Sequence, residues 1–158
     1  MCYTLHDSVR FACRKSYRFD LQLDRIRRIL LTVSDELCSF QSDEATQFYI
    51  KSLLEMKGIA NIVAENGNKA LQLLEEDEFD CILMDVQMPV LDGIEATKQI
   101  RSSKDNFKNI PIIALTAYAM SGDREKFMDA GMDDYIAKPV DQDELIQVLE
   151  RNLSGAKS

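Results

Sequence analysis

Two runs, Cys81-Ile82-Leu83-Met84 and Ile112-Ile113-Ala114-Leu115, are apolar at every position. A strand with one wet face alternates apolar and polar residues, so runs without alternation belong to strands covered on both sides. Around them the period changes. ATQFYIKSLLEMK predicts a helix burying Phe48, Leu53, Leu54 and Met56 and stopped by Gly58, and IANIVAENG predicts a short strand ending in an Asn66-Gly67 turn. NKALQLLEEDE predicts a helix with Ala70, Leu71 and Leu74 inward, and GIEATKQIRSS another built on Ile94, Thr97 and Ile100. SGDREKFMDAG, closed by Gly131, and DQDELIQVLERNL complete the helices, with the brief strand DYIAKP between them. Apolar strands separated by amphipathic helices call for a doubly wound α/β domain, a parallel sheet with helices on both faces.

At 158 residues the chain suffices for one domain with a sizeable core. No apolar run reaches membrane-spanning length, and MCYTLHDSVRFACRK lacks the apolar segment of a signal peptide, so a cytoplasmic protein with no membrane role is expected. Cysteines at 2, 13, 38 and 81 form no CxxC pair and His6 is the single histidine, which argues against a zinc site; His6 is given no role. Residues 1–33 hold seven Lys/Arg against Asp7, Asp20 and Asp24, net +4, and the remainder carries −12 of the total −8. The acidic body argues against nucleic-acid binding. The charge step near residue 34 divides the chain into a basic extension (1–33), a domain (34–153) and a tail (154–158).

In such sheets ligands bind outside the carboxyl ends of the strands. There CILM gives way to Asp85, IIAL to Thr116 and YIA to Lys138, while Asp43 stands before the first helix. Ending a buried strand in a carboxylate is costly without a reason. Two neighbouring carboxylates need a cation or a shared proton between them, and oxygen ligands without histidine or thiolate point to Mg²⁺. An ammonium and a hydroxyl suit the remaining oxygens of a phosphoryl group. The set reads as a site for placing a phosphoryl group on Asp85.

From about residue 42 to 153 the chain resembles the receiver domain of two-component response regulators and hybrid sensor kinases, a flavodoxin-like fold with five parallel strands. DEATQFYIKSLLEMKG, VAENGNKAL, ILMDVQMPVLDG, IPIIALTAYAMSGDREKFMDAGMDDYIAKPV and the last helix carry the likeness. The resemblance implies a phosphoacceptor at Asp85, a hydroxyl switch at Thr116, an aromatic switch at Tyr135 and a phosphate-binding lysine at Lys138. It also implies a Mg²⁺-binding carbonyl at Gln87, turnover tuning by Gln87 and Tyr118, and a cis Lys138-Pro139 bond. A histidine kinase or histidine phosphotransfer protein would donate the phosphoryl group, and a downstream protein would read the surface of the fourth helix, fifth strand and fifth helix. Such a domain is a signalling module with self-phosphorylation and self-dephosphorylation chemistry rather than an enzyme.

The first strand departs from the family pattern of two adjacent acids. Ser34-Asp35-Glu36 and Ser42-Asp43-Glu44 are both candidates, and in each a serine replaces the first acid. ILLTV makes the better buried strand and favours Asp35; position directly before the helix favours Asp43, which is taken as the metal ligand with Asp85 and Gln87. In a third reading Leu23, Ile26, Leu30, Val33, Leu37 and Phe40 line one amphipathic helix over 20–40.

Two function classes follow: a phosphorylatable receiver, free-standing or cut from a hybrid kinase, and a degenerate receiver acting only through contacts. No effector domain is expected after Leu153 and no kinase histidine motif before the domain. An aspartyl-phosphate phosphatase would want an acid where Gln87 stands, and a flavin protein a phosphate loop that QSDEATQ does not supply.

Overall fold

The computed structural model describes residues 28–32, 43–88, 91–117 and 123–153. Among these, strands β1 (Arg28–Thr32), β2 (Ala60–Ala64), β3 (Cys81–Asp85), β4 (Ile112–Thr116) and β5 (Asp134–Ala137) alternate with helices α1 (Asp43–Met56), α2 (Gly67–Glu76), α3 (Gly93–Ser102), α4 (Asp123–Ala130) and α5 (Gln142–Leu153). The sheet is parallel throughout, in the order β2-β1-β3-β4-β5. β3 and β4, the two runs without alternation, are buried at every residue because helices cover both faces.

Period-two geometry splits each strand between two cores. Leu83, Ile113 and Ile136 pack with Ile50, Leu54, Leu145 and Leu149 beneath α1 and α5. Ile82, Met84 and Ala114 pack with Ala70, Ile100 and Phe127 beneath α2, α3 and α4. Cys81, the one cysteine among the described residues, is buried in the sheet, and burial followed by the nearby charges of Asp133 and Asp80 pushes its thiol far up.

Several local expectations need correction. Phe48 and Met56, expected inside, are 73% and 69% exposed. Ile50, Leu53 and Leu54 define the buried stripe of α1, and Phe48 lies about 200° around the helix from Ile50. Asn66-Gly67 is a helix start rather than a strand-ending turn: Asn66 Oδ1 accepts the Lys69 amide at 2.9 Å and Gly67 opens α2. The single-helix reading of 20–40 fails at Arg28–Thr32, which is a strand paired on both sides, and this strand precedes residue 34, where the domain was expected to begin.

Helices α1 and α4 end as the sequence suggests, at the positive-φ residues Gly58 and Gly131. In each, the amide beyond the glycine reaches back five residues, Ile59 to the Leu54 carbonyl and Met132 to the Phe127 carbonyl. At the end of α3, Arg101 donates to the carbonyls of Gly131, Lys108 and Ile110 and pairs with Asp133, joining the α3–β4 and α4–β5 connections at one guanidinium.

Candidate phosphoacceptor site

Strand register brings the predicted residues together. Asp85 ends β3 opposite Leu115, and Thr116 ends β4 opposite Ala137. The ladders run one residue further: the Val86 amide donates to the Leu115 carbonyl at 3.0 Å and the Lys138 amide to the Thr116 carbonyl at 2.7 Å. Lys138 is thereby fixed beside Thr116, and its bond to Pro139 is cis, as the resemblance implied.

Asp85 is 2% exposed, a depth a carboxylate holds only with partners. Lys138 Nζ donates to Asp85 Oδ2 at 2.8 Å, and the Gln87 amide donates to Asp85 Oδ1 at 3.0 Å. Both oxygens of the acid are therefore held, one by a charge and one by the main chain of the connection after β3. Thr116 is buried at the same edge, and Gln87 is exposed beside it.

Tyr135 is half-buried on β5, opposite Ala114, with its ring centroid 6.5 Å from that of Phe127 on α4. The aromatic residue expected to switch thus touches the helix expected to change. Its neighbour Asp134 accepts from Arg151 and from Asn152 Nδ2 (2.9 Å), tying β5 to the end of α5, and from the Tyr135 amide (3.0 Å). Burial alone would raise the Asp134 carboxyl; Asn152, Arg151 and the Tyr135 amide outweigh it and hold the group below the usual carboxylate range. Its contribution to stability is then complete above the unfolded value of about 4 and is lost as pH falls through the lower folded value. The urea midpoint should accordingly drop less steeply below about pH 4 in Asp134→Asn than in the parent. Parallel acid limbs for the two proteins would contradict this linkage.

Asp43 is the first residue of α1. Asp35, Ser42 and Tyr118 lie outside the described residues. No group of three His, Cys, Asp or Glu suited to a metal is present among the described residues. What they bring to this edge is one buried carboxylate, Asp85, with the Gln87 main chain beside it. An oxygen-only donor set with few protein ligands suits a hard cation that keeps most of its water.

A cavity of about 750 Å³ lies elsewhere, at the amino ends of the strands, lined by Arg28, Phe79, Asp80 and Phe107 among others. None of the predicted site residues lines it, so its size says nothing about the chemistry at Asp85. Sequence reasoning missed the exposed apolar surface of α1, where Phe48, Tyr49 and Met56 face outward. Fixing the buried stripe on Ile50, Leu53 and Leu54 alone would have revealed it. Gly93, at the head of the helix expected over GIEATKQIRSS, packs against the main chain of Asp85.

Comparison with known proteins agrees with this fold. The family model described as the response regulator receiver domain matches residues 40–150, beginning after β1. Over 119 residues, 72% of the chain, the sequence is 42% identical to hybrid signal transduction histidine kinase I of Dictyostelium discoideum, of which it spans only 7%. Over 116 residues, 73% of the chain, it is 36% identical to the polar-differentiation response regulator DivK of Brucella anthropi and covers 94% of it. Among solved structures, the receiver domain of a sensor histidine kinase from Pseudomonas aeruginosa, with magnesium coordinated in its active-site cleft, superposes with a TM-score of 0.70 at 38% identity, covering 82% of this chain and 98% of that one. The receiver domain of a Saccharomyces cerevisiae response regulator, solved with its histidine phosphotransfer protein, gives 0.68 at 29% identity over 82% and 90%.

Proposed function

Because the chain belongs to the response regulator receiver domain family, we propose that it accepts a phosphoryl group on Asp85 from the phosphohistidine of a histidine kinase or histidine phosphotransfer protein. The observation that carries this reading is the Lys138–Asp85 pair, a 2.8 Å contact between an ammonium and a carboxylate that is 2% exposed at the carboxyl edge of the sheet.

In the transfer, an Asp85 oxygen forms a bond to phosphorus as the phosphorus–nitrogen bond of the donor breaks, and the imidazole departs with the electron pair and takes up a proton. Lys138 stays beside the acceptor and offsets negative charge as the phosphoryl oxygens arrive, a preorganised electrostatic role. Asp85, the Gln87 carbonyl and Asp43 are the residues that would hold Mg²⁺, which when bound supplies further positive charge against the phosphoryl oxygens. The Thr116 hydroxyl, buried at the same edge, is the group to meet a phosphoryl oxygen. Tyr135 then moves with it against α4, which requires only a small bias on a two-state packing arrangement. Gln87 and Tyr118 tune how long the phosphoryl group survives.

Phe48, Tyr49 and Met56 give α1 an apolar outer face, and α1 starts at the carboxyl edge where Asp85 lies. That face suits contact with a protein donor, and a downstream protein reads the α4, β5 and α5 surface. No helix among the described residues is long and apolar enough to cross a membrane, in keeping with a cytoplasmic signalling role. Intact mass after incubation with acetyl phosphate tests the proposal. One phosphoryl adduct that requires Mg²⁺ is expected; a folded protein that gains no mass under any condition would leave only the contact-making role.

A further inference from the structure

The connection from β3 to α3 is closed by a hydrogen bond from the Gly93 amide to the Val86 carbonyl, 3.2 Å long. Gly93 is buried, and the space around it is smaller than a methyl group. A Cβ at this position would stand 2.2 Å from the Asp85 carbonyl oxygen and 3.0 Å from both the Asp85 carbonyl carbon and Val86 Cα. All three are main-chain atoms at the end of a central strand, so no side-chain rotation relieves the clash. On its other side Gly93 is held by α3 itself: Thr97 Oγ1 donates to the Gly93 carbonyl at 2.7 Å, and Asp92 caps the helix by accepting the Glu95 amide at 2.8 Å.

We propose that Gly93 is a positioning residue for the acceptor, its missing side chain letting the first turn of α3 rest on the Asp85 main chain and thereby setting the Gln87 main chain against the Asp85 carboxylate. The inference rests on the phosphoacceptor reading above. Any side chain at 93 displaces either the start of α3 or the connection that carries Gln87. The Gln87 amide then leaves Asp85 Oδ1, and the carboxylate loses a main-chain donor that orients it.

Gly93→Ala is the direct test, with Arg101→Ala as a variant that loosens the other end of α3 without approaching Asp85. The first readout is hydrogen exchange of the Gln87 amide, measured by NMR with neither donor nor cation present; the second is the rate of phosphorylation by acetyl phosphate, with every protein folded by circular dichroism. Gly93→Ala should exchange faster at Gln87 and be phosphorylated roughly ten- to a hundredfold more slowly, the usual cost of disturbing groups that orient a reacting ligand. Arg101→Ala should match the parent in both. A folded Gly93→Ala with parent-like exchange and parent-like phosphorylation would overturn the proposal. If Gly93→Ala does not fold, Thr97→Val removes the hydroxyl that holds the Gly93 carbonyl. Faster Gln87 exchange there, restored in Thr97→Ser, supports the proposal, and unchanged exchange refutes it. A parent that takes no phosphoryl group would sink the phosphoacceptor reading instead, and the exchange comparison would still decide the role of Gly93.

Discussion

Asp85→Asn should show no phosphoryl adduct by intact mass at any concentration of acetyl phosphate and Mg²⁺, because a carboxamide is not a competent nucleophile for phosphorus. The two side chains have the same shape, so the loss is chemical rather than steric. A secondary effect follows from the hydrogen bonds. Asp85 accepts from the Gln87 amide on one oxygen and from Lys138 on the other. A carboxamide has one acceptor oxygen, so one of those two donors loses its partner whichever way the amide is turned. That costs roughly 1–3 kcal/mol, so the variant should remain folded but unfold at lower urea. An adduct that persists in Asp85→Asn would place the acceptor elsewhere and end the present assignment.

Lys138→Ala should lose on both stability and reactivity. The pair it breaks is nearly dry, with side chains 13% and 3% exposed. Removing one partner of a buried pair costs about 3 kcal/mol at the low end of the usual range, the end appropriate to a lysine that keeps some water. Urea unfolding at neutral pH measures this. The same substitution in the Asp85→Asn background should cost less, since no buried charge is then left behind, and the difference isolates the pair. Phosphorylation should slow by roughly a hundred- to a thousandfold, as when one preorganised donor is taken from a developing anion. Arginine is a poor rescue, because its planar fork does not replace a compact point charge. Equal costs in the two backgrounds would mean that the contact contributes nothing specific.

The order of elements and the residues at the strand ends were legible because the signals are local. Runs without alternation required a sheet covered on both sides, and the chemistry-bearing residues stand where those runs stop. Asp85, Thr116 and Lys138 followed from that rule before any contact was known. The first strand was harder. ILLTV carries a strand signal inside a spacing that equally suits a helix, and only its pairing with β2 and β3 decides between them. Phe48 and Met56 were misassigned because apolar character was counted without fixing the azimuth of the stripe. Arg101 and Gly93 left no trace in the sequence pattern. One acts through carbonyls from distant connections, and the other through a side chain it does not have; both are facts of packing rather than of periodicity.

The seal around Cys81 ties two events that would otherwise be independent. The sulfur lies on the strand that ends in Asp85, fully buried, with its thiol held far from ionisation. Thiolate is the reactive form, so an electrophile meets a competent nucleophile at Cys81 only when β3 leaves the sheet. Alkylation at this sulfur is therefore expected to follow the opening of β3. Modification of this one atom would then report the opening of the strand that carries Asp85.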